Sequence, residues 1–274
     1  NYSGNEIRFT AESTRTSKMT SFGYDSSKTG FSLGTTFEQY EDIFISPDLS
    51  TYYESLSTND NASAALKQQE GTYIDTELRY SVIQDKRDQR FKPTEGYRAS
   101  FNQKLPLYSE SPSLINGIDY SAYHSFSDNF IGSLRFHGRA INSLSGSEDV
   151  KLSERLSIPG KYLRGFEVGK IGPVDTSDYI GGNYVTALGF NAALPKLLPN
   201  LTNADVSLFL DTGNVWGIDY DANIDDSNKL RSAFGVSVDW FTPIGPLSFS
   251  FSEAITSAST DKPESFRFNI GTTF

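Results

Sequence analysis

Cysteine is absent from the 274 residues, which removes disulfides, thiolate metal sites and thiol redox chemistry together. No run approaches the roughly 18 consecutive apolar residues that a membrane-crossing helix needs. The chain opens at Asn1 with neither a charged leader nor an apolar segment behind it, so the expectation is a mature or truncated chain. Cations are the minority, 24 Lys and Arg against 34 Asp and Glu, for a net charge of −10. Nucleic-acid binders carry basic stripes, so a nucleic-acid partner is not expected.

What is present favours strands. There are 20 Phe and 15 Tyr against one Met and two Trp, in a background of Ser, Thr, Gly and Asn. The length suits one large all-β domain or two ordinary ones. Low mean hydropathy does not exclude a membrane, because a transmembrane barrel hides its apolar band in every second residue.

Short runs alternate with period two between turn residues, the pattern of half-buried strands. A weak alternation spans Glu6 to Ser13, and Lys28 to Glu38 puts Phe31, Leu33, Thr35 and Phe37 on one side. Phe44 to Ser55 follows. From Tyr73 to Ile83, one face carries Ile74, Thr76, Leu78, Tyr80 and Val82, and the other Asp75, Glu77, Arg79 and Ser81. A dry core cannot hold that second face, but a water-filled lumen can. Tyr97 to Leu105, Ile118 to Phe126 and Phe130 to Ile141 repeat the pattern; in the last, Arg135, His137 and Arg139 share a side and call for water or acidic partners. Tyr184 to Leu194, Val206 to Trp216, Leu230 to Trp240, Leu247 to Phe251 and Ser265 to Phe274 complete about twelve strands of about 10 residues, the length of a tilted membrane-crossing strand.

Connections alternate in length. Those at 40–43, 90–95, 127–129 and 242–246 read as tight, and those at 57–70, 106–115, 142–181, 217–228 and 255–263 as longer, as in outer-membrane barrels. Tyr184, Trp240 and Phe274 lie near strand ends, as an interfacial girdle would. A soluble β-sandwich would tolerate the same alternation. No fixed-period repeat suggests a propeller.

The 142–181 segment is long for a loop without regular structure, and such loops are usually functional. It combines Arg164 with Ile158, Tyr162, Leu163, Phe166, Val168 and Ile171, and has glycines at 160, 165, 169 and 172. That mixture suits a loop folded tightly against something, not a disordered one.

Five motifs occur in order over residues 85–274: the Asp85 to Gly96 turn, Leu163-Arg164-Gly165-Phe166, Ile171-Gly172-Pro173 with Gly181-Gly182-Asn183, Phe209-Leu210-Asp211-Thr212-Gly213-Asn214-Val215-Trp216, and Trp240-Phe241-Thr242-Pro243-Ile244-Gly245-Pro246-Leu247, followed by the aromatic end Phe274. Together they resemble the BamA-type outer-membrane barrel-assembly family. The resemblance implies an antiparallel transmembrane β-barrel of 16 strands preceded by periplasmic POTRA modules. This chain would supply the C-terminal part, about 12 strands, with the modules and first strands absent from it. The 142–181 loop would tuck into the lumen, where Arg164 meets acids of the barrel wall. Asp211 matches one family partner; the other aligns with Gly189, and Asp239 is the reserve partner. The last strand, with Phe266, Phe268, Ile270 and Phe274, would form one side of a lateral seam.

The resemblance implies an insertase of the Gram-negative outer membrane, without cofactor. Its partners would be unfolded outer-membrane protein clients, accessory lipoproteins reached through the POTRA modules, and outer-membrane lipid. A TamA-like or other related translocase, or a passive porin-type channel, would share much of the pattern. The acidic run from Asp219 to Asp226 imitates a calcium loop, but Ile224 and Leu230 stand where an EF-hand needs Gly and Glu. His124 and His137 have no nucleophile in a recognisable context, so enzymatic activity is not expected.

Overall fold

The computed structural model describes residues 6–18, 22–146, 149–195, 197–198, 203–224, 229–242 and 245–270. Twelve strands form one antiparallel meander in which each pairs with its neighbours in the chain. They are β1 (Glu6–Lys18), β2 (Tyr24–Tyr40), β3 (Ile43–Thr58), β4 (Gly71–Asp85), β5 (Gly96–Ser109), β6 (Ser113–Ser127), β7 (Phe130–Ser143), β10 (Tyr184–Leu194), β11 (Ala204–Trp216), β12 (Arg231–Thr242), β13 (Gly245–Thr256) and β14 (Phe266–Ile270). Two short strands, β8 (Val174–Asp175) and β9 (Asp178–Tyr179), pair with each other inside the long loop. One helical turn, α1 (Ala64–Lys67), is capped by the Ser63 hydroxyl within the long 57–70 connection.

The two faces of the sheet separate as the alternation requires. Ile74, Leu208, Leu210, Phe234, Phe251, Phe266, Phe268 and Ile270 are exposed on the outer face. The rings of Phe249 and Phe268, and of Phe251 and Phe266, meet at a tilt with centroids 5.0 Å apart. Such cross-strand aromatic pairs stabilise adjacent strands. The inner face carries Asp75, Glu77, His137, Asp211 and Arg231, all buried. Hydrocarbon outside and polar side chains inside are the division of a transmembrane barrel. Among the described residues, β1 and β14 each have one strand partner and do not pair with each other.

Most strands are longer than expected, running to 17 residues in β2. The reason is that polar turn-like sequence at their ends still pairs. Pro106 to Ser109 and Ser113 to Ile115 belong to β5 and β6, so the expected long 106–115 connection shrinks to Glu110-Ser111-Pro112. The expected tight turn at 90–95 is the larger segment 86–95. It is organised by Asp88, whose carboxylate accepts from Thr94 N at 3.0 Å, Thr94 Oγ1 at 2.7 Å and Glu95 N at 3.2 Å.

Candidate functional site: the docked loop

Residues 144–183 connect β7 to β10, and 149–183 fold back onto the inner wall. Leu163 and Phe166 are buried with Ile158, Ile171, Val185, Ala187, Val215 and Ala233, so the loop's apolar residues meet β10, β11 and β12. Each of the Leu, Ile, Val and Phe side chains among them contributes about 1.5–3 kcal/mol when fully buried. Gly165 allows this approach. Its φ is +89°, and a Cβ there would stand 2.5 Å from the Cβ of Ala233.

Arg164 makes a two-pronged contact with Asp211 on β11. Its Nε donates to Oδ2 at 2.7 Å, its Nη2 to Oδ1 at 2.8 Å, and its backbone N to Oδ2 at 3.0 Å. The Asp211 side chain is fully buried. The guanidinium also donates to Asn191 Oδ1 at 2.8 Å and lies over the Phe209 ring, 3.6 Å from its centroid. Paired donors and a flat cation on an aromatic face are what Arg offers and Lys does not. Asn191 and Phe209 did not emerge from the sequence as partners; both stand on inward positions of their strands, Phe209 two residues before Asp211.

Asp239, the reserve partner, does not take this role. Among the described residues no ion pair joins it to Arg164; it faces Ser248 across β13, and its Oδ1 is buried without a hydrogen bond. It lines a lumenal cavity of about 790 Å³ together with Arg98, Asp119, Arg135 and Lys161. Arg135 reaches towards Gly189, where the second acid would stand. A Cβ at 189 would lie 3.7 Å from Arg135 Nη2 and only 2.8 Å from Asp211 Oδ1, so the position is filled by its neighbours.

Further clamps hold the rest of the loop. Lys151 is buried with its Nζ 2.6 Å from Asp75 Oδ2 and 3.5 Å from Glu54 Oε2. Glu154 takes Lys104 Nζ and Ser113 Oγ, each at 2.5 Å. Tyr162 donates to Asp119 at 3.0 Å and stacks on His137, which itself binds Asp119 at 2.7 Å. His137 is thus part of the wall that receives the loop. Beyond the end of β11, Asp219 pairs with Arg155 and accepts from Val150 N and Asn183 Nδ2. Burial pushes the Asp219 carboxyl up, but Arg155 and these donors hold it below the usual carboxylate range. Asp225 and Asp226 of the acidic run lie outside the described residues.

Of the expected seam residues, Phe266, Phe268 and Ile270 sit on the outer face of β14, which pairs with β13 from Leu247↔Ile270 to Phe251↔Phe266. Phe274 lies outside the described residues, as do Pro243 and Ile244 of the turn motif.

The Omp85 superfamily domain matches residues 2–274. The outer membrane protein assembly factor BamA of Neorickettsia risticii is 27% identical over 78% of this chain and 29% of its own length. The same factor from Nitratidesulfovibrio vulgaris is 26% identical over 80% of this chain and 28% of its own. The chain therefore spans under a third of the length of these curated relatives. In fold it resembles the crystal structure of BamA from Haemophilus ducreyi lacking POTRA domains 1–3, with a TM-score of 0.81 and 23% identity over 96% of this chain and 57% of that one. CdiB from Acinetobacter baumannii is more distant, with a TM-score of 0.58 and 14% identity over 90% of this chain and 42% of that one.

Proposed function

The chain belongs to the Omp85 superfamily, and from that premise we propose that it is the barrel part of an assembly factor that folds and inserts other β-barrels into the outer membrane of a Gram-negative bacterium. The observation that carries this reading is the Arg164 loop, docked on Asp211 of the inner wall and bridged to the residues that lead into the last strand.

An exposed row of backbone N–H and C=O groups in hydrocarbon is costly, and an incoming client strand relieves that cost by pairing with it. β14 would offer such an edge. The loop braces the lead-in to that strand from the lumen side, so the wall beside the seam keeps its shape while the edge is exchanged. The free energy comes from the client's own burial of apolar surface, which asks for neither nucleotide nor cofactor, and we assign the chain no catalytic role. Clients, outer-membrane lipid, and accessory lipoproteins bound through POTRA modules of the parent protein are the partners this reading implies.

The test is reconstitution of the full-length protein in liposomes with a urea-denatured client barrel. Client folding should be faster with the protein than without it, and Arg164→Ala should remove most of the gain. Unaccelerated folding together with steady ion conductance would instead assign a passive channel.

A further inference from the structure

The loop is tied to the terminal strand by a second set of bonds that docking of Arg164 does not require. Glu264 N donates to Gly165 O at 2.9 Å, Glu167 N to Lys262 O at 2.9 Å, and Lys262 N to Lys170 O at 3.0 Å. These bonds form an antiparallel bridge, Phe166↔Pro263, between the motif and the residues that lead into β14. The same lead-in is held from the other side by β13, where Ser252 N donates to Ser265 O and Ser252 Oγ to Glu264 O, both at 2.9 Å. Arg231 fixes its far end, with Nε and Nη2 on the Asp261 carboxylate at 2.9 and 3.0 Å.

Within β14 itself, Arg267 points inward, between the outward Phe266 and Phe268. Its Nη1 donates to Gly160 O at 2.9 Å, its Nη2 to Phe166 O, and its Nε to Glu264 Oε2 at 2.7 Å. One guanidinium therefore grips the loop on both sides of Arg164 and ties it to the strand. Gly160 makes room for it, because a Cβ there would stand 2.7 Å from Arg267 Nη1. Among the described residues, β13 and β14 pair from Leu247↔Ile270 to Phe251↔Phe266, and the loop bonds add to that pairing from the lumen side.

We propose that Arg267 is the positioning residue through which the docked loop holds β14 in place, so that the loop's state sets how readily the seam edge opens. This rests on the reading of β14 as the seam. Carbonyl acceptors give the contact its character: Arg267 reads the loop's backbone path, and any loop movement breaks bonds to the strand directly.

Hydrogen exchange on the full-length protein in lipid nanodiscs tests the coupling, since local opening sets amide exchange in each segment. Arg267→Gln and Arg164→Ala should each speed exchange of residues 266–270 by roughly ten-fold or more, with β5 and β6 unchanged. The double variant should add little, because both act through one linkage. Arg267→Lys, with fewer donors, should fall between wild type and Arg267→Gln. Gly160→Ala displaces the guanidinium without removing its charge and should speed exchange in the same segment, which covers the case that Arg267→Gln does not fold. If Arg164→Ala frees residues 160–170 while 266–270 exchange as in wild type, the coupling is wrong. Client folding measured on the same variants separates the two ideas: coupled exchange with wild-type client folding would overturn the seam reading and leave the coupling standing.

Discussion

Arg164 and Lys151 both carry the long loop onto the barrel wall, and both are nearly dry, yet their surroundings differ in kind. Arg164 has one carboxylate, Asp211, and among the described residues Asp211 accepts side-chain bonds from nothing else. Lys151 sits among Glu54, Asp75 and Glu154, and each of these has other partners: Lys28 and Ser26 for Glu54, Ser109 for Asp75, and Lys104 and Ser113 for Glu154. The centre of the loop is thus one buried carboxylate held by one guanidinium, and its shoulder is a shared network. The lesson is that the cost of losing a buried cation depends on what its partner has left. An acid stranded alone pays its whole desolvation, whereas one with other donors does not.

The comparison makes graded expectations. Arg164→Ala should cost about 3–5 kcal/mol, because it leaves Asp211 buried and unpaired; denaturant unfolding of the barrel and protease sensitivity of residues 144–183 would both register it. Gly165→Ala should cost about 2–4 kcal/mol from left-handed strain and overpacking against Ala233, with the same protease pattern and no change of charge. Lys151→Met should cost less, about 1–3 kcal/mol, because its acids keep other donors. Equal losses for Arg164→Ala and Lys151→Met would break the distinction between the two clamps. Gly189→Ala should cost about 1–2 kcal/mol by crowding Asp211, and its effect should vanish in an Arg164→Ala background.

The smallest effect is with pH, at the Asp219 anchor. The Asp219 carboxyl is depressed in the folded chain, so its contribution is present above the unfolded value of about 3.9 and is lost as pH falls through the lower folded one. Loop proteolysis by an acid-active protease should therefore rise below about pH 4, and less so in Asp219→Asn.

Much of this was legible in the chain. The lumen-facing set Asp75, Glu77 and Arg79 followed from alternation alone, and the Arg164–Asp211 pair from the family motifs. Lys151 and Glu154 were not legible, because they lie in a stretch with no periodicity and their partners Asp75 and Lys104 are 76 and 50 residues away. Arg267 was hidden differently: its inward position could be read from the strand, but its acceptors are carbonyls, which every residue has. The strand ends were misjudged for a third reason. Pro106 to Ser109 looked like part of a connection, and pairing with β4, from Glu77↔Pro106 to Asp75↔Ser109, kept them in the sheet.

The residues by themselves determined the two faces, because alternation along an extended backbone is a matter of covalent geometry and needs no distant contact. Tertiary structure alone decided which acid meets which cation and which strand the loop holds. Those pairings depend on strand register and on the path of a forty-residue loop across the lumen, and neither is set by any local run of sequence.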